Sequence, residues 1–148
     1  MSKHRRRLAN RHERVAVIYF DRKGAPIDME TWARLHADHD YLVVAQHWIR
    51  GWMVSTVWLG IDHGFGMTTV PVIFETMVFP PGDEAGENGA MSGEYCDRYT
   101  TEAAAHAGHD QALSWVREKL GDDAVGDIIS AAQFSDPATV PDDASAIE

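Results

Sequence analysis

Residues 41–79 read YLVVAQHWIRGWMVSTVWLGIDHGFGMTTVPVIFETMVF and contain three predicted strands. β-Branched and aromatic residues, which favour strands, dominate Tyr41–Ile49, Trp52–Leu59 and Val72–Phe79. Arg50-Gly51 fits a tight hairpin turn between the first two, because glycine accepts positive φ angles. This stretch therefore predicts the centre of an antiparallel sheet.

The third predicted strand is apolar on both of its faces. Alternation puts Val72, Phe74, Thr76 and Val78 on one face and Ile73, Glu75, Met77 and Phe79 on the other. An apolar face has to be covered, so we expect helices or a second subunit against each side of the sheet.

Two helices are predicted to flank the three strands. The first starts after an N-cap at Asp28 and ends near Asp38, with apolar residues recurring at helical spacing. The second starts after Thr100 or Thr101 and runs to about Leu120. Two further strands are predicted, a buried one at Val15–Phe20 and a short edge strand at 94–99. The expected fold is α+β, an antiparallel sheet of about four strands with two helices packed on it.

The charged residues divide the chain into a domain and two tails. Residues 1–14 carry six Lys or Arg against one acid, a net charge of +5, which leaves −15 on the rest of a chain whose total is −10. Residues 121–148 carry seven acids and no Lys or Arg. We expect a basic flexible tail at 1–14, one domain at 15–120 and an acidic flexible tail at 121–148, with a short helix at 125–134.

The composition of the chain limits which cellular compartment and which classes of binding partner are expected. The single cysteine, Cys96, cannot form an internal disulfide, and no apolar run approaches the ~18 residues that span a bilayer. A cytoplasmic protein without membrane contact is expected. The acidic body argues against a nucleic-acid groove, and only the basic N-terminal tail offers the clustered Lys and Arg that phosphates require.

The loop from Gly60 to Gly66 is the most unusual segment. Its three glycines enclose a carboxylate, an imidazole and an aromatic ring, those of Asp62, His63 and Phe65, directly after Trp58 and Leu59. Loops held by a rigid sheet often carry function. Two interpretations stand: a binding or catalytic loop, or a long turn in which Asp62 caps backbone amides. Trp58 can likewise fill the core or belong to an exposed aromatic patch for a partner.

Two ionisable residues that lie among apolar residues in the sequence could support this loop. Glu75 is the only charged residue in a ten-residue apolar run, and it needs a partner such as Arg98, Arg50 or a histidine if it is buried. His109 lies on the apolar face of the second predicted helix. We predict that Glu75 and His109 meet across the helix–sheet interface, position the loop, and raise the histidine pKa.

No pattern in the chain indicates a metal, a cofactor or a catalytic residue. The pairs His36/His39 and His106/His109 have a spacing compatible with metal ligands, but two ligands do not make a site. Cys96 has no base beside it, and no nucleophile elbow or Cys-x-x-Cys is present. We therefore predict neither a cofactor nor a bound metal.

The sequence VSTVWLGIDHGFG at 54–66, followed by FETMVF at 74–79, resembles a family of small uncharacterised proteins from phages and prophages of actinobacteria. The resemblance covers about residues 15–119, leaving both tails outside, and includes Arg98–Thr101 and Ala107–His109. It implies a genomic setting and no activity.

These observations favour a small non-enzymatic accessory protein of phage type. We expect it to bind a protein partner, either a host protein that it modulates or a second copy of itself in a homodimer. The candidate binding residues are Asp62, His63, Phe65, Glu75, His109 and Trp58. The alternative is a small-ligand-binding protein or an enzyme that uses the Asp62/His63 loop together with Glu75 and His109.

Overall fold

The computed structural model describes residues 18–82, 95–121 and 128–130. In chain order the elements are α1 (Met29–His36), α2 (His39–Leu42), β1 (Val43–Ile49), β2 (Trp52–Trp58), β3 (Phe74–Phe79), β4 (Cys96–Tyr99), α3 (Glu102–Leu120) and β5 (Ile128–Ser130). The predicted α+β class, with an antiparallel sheet and helices packed on it, is confirmed.

The five strands form one antiparallel sheet in the order β4-β3-β2-β1-β5. β1 and β2 are joined by the predicted tight turn, in which Arg50 and Gly51 both have positive φ, 47° and 83°. Positive φ at both central positions matches the right-handed twist of the strands it connects. In the strand order, β2 is central and β3 lies beside it. The chain between the end of β2 and the start of β3 contains the Gly60–Gly66 loop.

One face of the sheet is covered by α3. In the register of β2 and β3, Thr56 lies opposite Thr76 and Trp58 opposite Phe74, so these residues share a face. Two core clusters lie on this face. The first contains Ile49, Val54, Val78, Ala112, Leu113 and Val116. The second contains Trp58, Ile73, Phe74 and Ala105.

The helix α1 and the chain before it close the second cluster. Asp28 caps α1 by accepting a hydrogen bond from the Thr31 amide, as the sequence predicts. Trp32 packs into this cluster and donates its indole N–H to the Leu59 carbonyl at 2.9 Å. Arg22 donates to the Glu102 carboxylate at the start of α3. Contacts from α1, from the chain before it and from the start of α3 thus stabilise the end of the sheet that carries the loop.

Three sequence predictions about elements are wrong. Tyr41 and Leu42 belong to the short helix α2, because the Asp38 carboxylate accepts hydrogen bonds from the amides of Asp40 and Tyr41 and so starts a helical turn. Within the predicted strand at 15–20, the described residues form only isolated bridges, Tyr19 with Ile61 and Phe20 with Pro26. Residues 128–130, predicted to lie in a helix, form β5 and pair with β1. The rest of both tails lies outside the described residues.

The second face of the sheet carries Glu75, Met77 and Phe79 of β3. Their parity is opposite to that of Thr76, which faces α3. Met77 and Phe79 are partly exposed. The described helices contribute to the core clusters of the other face. Because β3 has apolar residues on both faces, as predicted, the described residues leave an apolar surface on the face opposite α3.

Candidate functional site

The Gly60–Gly66 loop is organised around the carboxylate of Asp62. This side chain accepts hydrogen bonds from the amides of Gly64 at 2.8 Å and Val72 at 2.9 Å, which ties the start of the loop to its return. The Asp62 amide in turn donates to the Ile18 carbonyl. Partial burial acts to raise the pKa of Asp62, but the bonds from the Val72 and Gly64 amides outweigh it and lower the pKa. Asp62 is thus an internal brace of the loop.

His63 is fixed by the same turn. Its amide donates to the Val72 carbonyl at 2.9 Å, and its ring Nδ1 lies 2.9 Å from the Ile61 carbonyl oxygen. A carbonyl accepts only, so Nδ1 is the protonated nitrogen in this bond. The half-buried ring lies 6.3 Å from the ring of Phe65, centroid to centroid, in an edge-on arrangement. His63 therefore supports Phe65 from inside the loop.

Phe65 points away from the protein. Its side chain is 78 % exposed and its backbone has a φ of 50°, in the left-handed region. Positive φ is a true outlier for a bulky residue, costing roughly 1–2 kcal/mol. Three more exposed apolar residues follow the loop directly or lie on the segment that is hydrogen-bonded to it: Met67, Val70 and Ile18.

His109, by contrast, is buried in a chain of hydrogen-bonding groups between α3 and the sheet. Its Nε2 lies 2.7 Å from Nδ1 of His47, and its Nδ1 lies 2.8 Å from Oγ1 of Thr56. Oγ1 of Thr56 continues to Oγ1 of Thr76 at 2.6 Å. With both imidazoles neutral, one consistent direction of donation runs along the whole chain, so each link is satisfied.

The pKa of His109 is lowered to about 4, first by burial and then by the neighbouring His47. Burial likewise lowers the pKa of His47. We predicted a raised pKa caused by a facing carboxylate, and this prediction is wrong. The buried chain consists of uncharged groups near neutral pH, and both threonines at its end are fully buried.

Glu75 lies on the opposite face of the sheet. Its carboxylate accepts a hydrogen bond from Nε of Arg98 at 2.7 Å, across the register that pairs the two residues, and from the thiol of Cys96 at 3.6 Å. The proposed partner Arg98 is confirmed. The predicted contact between Glu75 and His109 is wrong, because successive residues of a strand face opposite sides and Thr76 is the one that faces α3. The sheet separates Glu75 from His109.

The contacts of Cys96 and Trp58 favour a structural role for each residue. Burial raises the pKa of the Cys96 thiol, and the Glu75 carboxylate raises it further, which disfavours the thiolate. Trp58 has no exposed surface and donates its indole N–H to the Phe20 carbonyl at 3.1 Å. It supports the loop from the core and does not present a surface to a partner.

The sequence-predicted residues therefore separate into three places. Asp62, His63 and Phe65 lie in the loop, His109 projects from α3 toward the sheet, and Glu75 lies on the second face. Sequence reasoning missed His47, Thr56 and Thr76. The sequence did contain a signal for them. Each of these polar residues is two positions from an apolar residue, Ile49, Val54 or Val78, and therefore shares its strand face. Among the described residues, no three His, Cys, Asp or Glu side chains are grouped so that they could hold a metal ion.

Comparison with family models, with curated proteins and with solved structures found no match to this chain. Within the described ranges, no helix has the length and apolar character needed to cross a membrane.

Proposed function

We propose that this chain is a small phage-type accessory protein that acts by binding another protein, with the Gly60–Gly66 loop as its contact surface. The observation that carries the proposal is Phe65, a 78 % exposed aromatic ring on backbone held at a φ of 50°. The resemblance of residues 15–119 to phage and prophage proteins supports the setting, and the bacterial cytoplasm is the compartment we propose.

The conformation of Phe65 does not serve the fold. The exposed ring gains little from burial, while its left-handed backbone costs roughly 1–2 kcal/mol. Such strain persists only where surrounding contacts enforce it, and it is concentrated at ligand-binding and recognition sites. Here the enforcing contacts are the two bonds to Asp62 and the bond from the Met67 amide to the Gly64 carbonyl.

Three further exposed apolar residues follow Phe65 in the sequence or lie on the segment bonded to its loop. Met67 is 87 % exposed, and Val70 and Ile18 are about half exposed. Exposed apolar residues grouped in this way mark protein-binding surfaces more often than isolated ones. Residues 59–71 contain no Lys or Arg, so the loop itself lacks the cations that nucleic acid or an anionic membrane would require. An apolar protein surface is the partner that this chemistry favours.

The enzyme alternative has less support. It required Asp62, His63, Glu75 and His109 to lie within ~3–5 Å of one another and to line a concave pocket. Glu75 and His109 are separated by the sheet, and Oδ1 of Asp62 already accepts hydrogen bonds from two backbone amides. We do not carry this alternative further.

The role of Phe65 in partner binding can be tested with a substitution that relieves the strain of its left-handed backbone. Because Asn tolerates positive φ far better than Phe, Phe65→Asn should leave the protein as stable as the parent or stabilise it by up to about 1 kcal/mol. It should also abolish retention of a partner by the immobilised protein, measured by affinity capture from host lysate with quantitative mass spectrometry. A protein captured equally by both forms does not use this loop.

A matched pair of methionines provides the control for that experiment. Met67, directly after the loop, and Met29, at the start of α1, are both largely exposed, at 87 % and 63 %. Met67→Ala should weaken capture of the same partner, whereas Met29→Ala should leave it unchanged. Equal effects at the two positions would indicate nonspecific apolar adsorption and argue against the loop as the contact surface.

We also propose that the protein self-associates as a two-fold homodimer. The support is the face of the sheet opposite α3, where Met77 and Phe79 are partly exposed on the interior strand β3. A two-fold axis over an apolar face buries the same residues from both copies. Light scattering at micromolar concentration should give twice the monomer mass of 16.5 kDa, and Met77→Glu should return the monomer. A monomer mass for the parent protein would contradict this proposal.

A further inference from the structure

A groove of about 430 Å³ runs along the flank of α3 toward the start of β4. Its walls are two aromatic rings, two carboxylates and two neutral polar side chains: Tyr95, Trp115, Asp110, Glu118, Gln111 and Ser114. It lies on α3, away from the Gly60–Gly66 loop, and its residues have no part in the function proposed above.

The groove is suited to a cationic side chain. The rings of Tyr95 and Trp115 pack with their centroids 5.5 Å apart. Lys119 places its ammonium group 4.6 Å from the centroid of Trp115, so this ring already has one cation beside it, and Tyr95 is the ring left for another. The Asp110 and Glu118 side chains are exposed, and neither forms an ion pair with another described residue. Carboxylates beside an aromatic wall favour arginine, whose planar guanidinium stacks and donates bidentate hydrogen bonds.

We propose that the occupant of this groove is the basic N-terminal segment of the same chain, residues 1–14. This segment carries Lys3 and five arginines against one acid, whereas the remainder of the chain has a net charge of −15. The charges of segment and groove are complementary, and the segment lies outside the described residues, which begin at Ile18.

The length of chain before Ile18 suits this placement. The Ile18 carbonyl accepts a hydrogen bond from the Asp62 amide in the loop, and Phe20, two residues later, packs against the core cluster that contains Trp58 and Ala105. From Ala105, the groove residues 110–118 lie about 8 to 20 Å along α3, at 1.5 Å per residue. Arg14 and Arg11, four and seven residues before Ile18, reach about 14 and 25 Å in extended chain. The extended chain from Ile18 to Arg11 is therefore as long as the part of α3 that carries the groove.

The test uses the full chain with a nitroxide at Asn10→Cys, in a Cys96→Ser background so that a single thiol is labelled. This position keeps every basic residue of the segment. Paramagnetic broadening of backbone amides is measured by NMR, with the chemically reduced label as the reference that also shows the fold is intact. We expect the amides of α3 around Gln111–Glu118 to broaden strongly, and those of α1 to be unaffected.

Two variants with the same change in net charge separate groove from bulk electrostatics. Asp110→Asn with Glu118→Gln should abolish the broadening of α3, whereas Glu30→Gln with Asp40→Asn, at exposed positions on α1 and α2, should leave it intact. Raising the salt from about 0.1 M to 1 M shortens the Debye length from about 10 Å to 3 Å and should also reduce the broadening.

Three results would overturn the proposal. One is the absence of broadening on α3, and another is broadening that survives Asp110→Asn with Glu118→Gln. The third is broadening that appears in an isotope-labelled chain without nitroxide when it is mixed with nitroxide-labelled chains. That outcome would place the segment on a second copy rather than on its own domain.

Discussion

His109→Ala is expected to lower the free energy of unfolding by about 3 kcal/mol in urea denaturation at pH 7.5. The imidazole is 2 % exposed and bridges His47 on β1 to Thr56 on β2. Truncation leaves a cavity and removes a partner from each of these two groups, and a buried polar group without a partner costs about 1–3 kcal/mol.

His106→Ala is the matched control for this substitution. His106 lies one turn earlier on the same helix, its side chain is 54 % exposed, and the ionic contact that it makes with Glu102 is 3.8 Å long. Both changes bring the same gain in helix propensity, so the difference between them reports the buried contacts alone. We expect His106→Ala to stay within about 0.5 kcal/mol of the parent protein. Similar costs at both positions would show that the buried chain contributes little.

The same pair of variants separates the pH dependence of stability. The pKa of His109 is lowered from 6.5 to about 4 in the folded protein, so below pH 6.5 the unfolded chain binds a proton that the folded one excludes. The stability present above pH 6.5 is therefore lost as the pH falls toward 4, by up to about 3 kcal/mol from this group. His106→Ala should retain this loss, and His109→Ala should lack it. Parallel pH profiles for the two variants would contradict the assignment.

The sheet could be predicted from the sequence because its signals are local. The β-branched runs around Val54 and Val78 and the Arg50-Gly51 turn determine β2, β3 and the hairpin without information from distant residues. Asp28 and Thr101 likewise mark the starts of α1 and α3 by capping amides three residues ahead. In both cases short-range chemistry and tertiary packing favour the same structure.

Elements that depend on distant partners were predicted less well. β5 has three residues and exists through pairing with β1, so the short apolar run at 128–130 was compatible with either a strand or a helix. The start of β1 was placed too early because the apolar residues Tyr41 and Leu42 outweighed the capping role of Asp38. Short apolar segments carry too little periodicity to resolve this choice.

The candidate site shows the same division. The brace formed by Asp62 could be foreseen, because an aspartate between glycines commonly caps nearby amides. The partner of His109 could not, since both faces of β3 are apolar and the sequence does not say which one α3 covers. Alternation correctly separated Glu75 from Thr76, and knowledge of the covered face would have excluded the predicted pair of Glu75 with His109.

Gly60→Ala is expected to be among the most destabilising single substitutions in the loop, at about 3 kcal/mol. Gly60 has a φ of 66°, and a Cβ there would lie 2.6 Å from Cε2 of Trp58 and 2.7 Å from Cδ1 of Trp32. Both indoles are fixed by hydrogen bonds to backbone carbonyls, so neither can give way easily. Overpacking costs about 1–3 kcal/mol, and the left-handed backbone adds roughly 1–2 kcal/mol.

Gly66→Ala isolates the second of these costs. Gly66 has a similar φ of 71° in the same loop, but nothing lies within 4 Å of the position that its Cβ would occupy. It should therefore lose only the roughly 1–2 kcal/mol of backbone strain. Urea denaturation of the two variants, followed by tryptophan emission, measures both costs. Trp58 and Trp32 lie against Gly60, so an emission shift should accompany Gly60→Ala and be absent from Gly66→Ala. Equal losses of stability would mean that the two indoles move aside freely, and that the base of the loop is not held by the core.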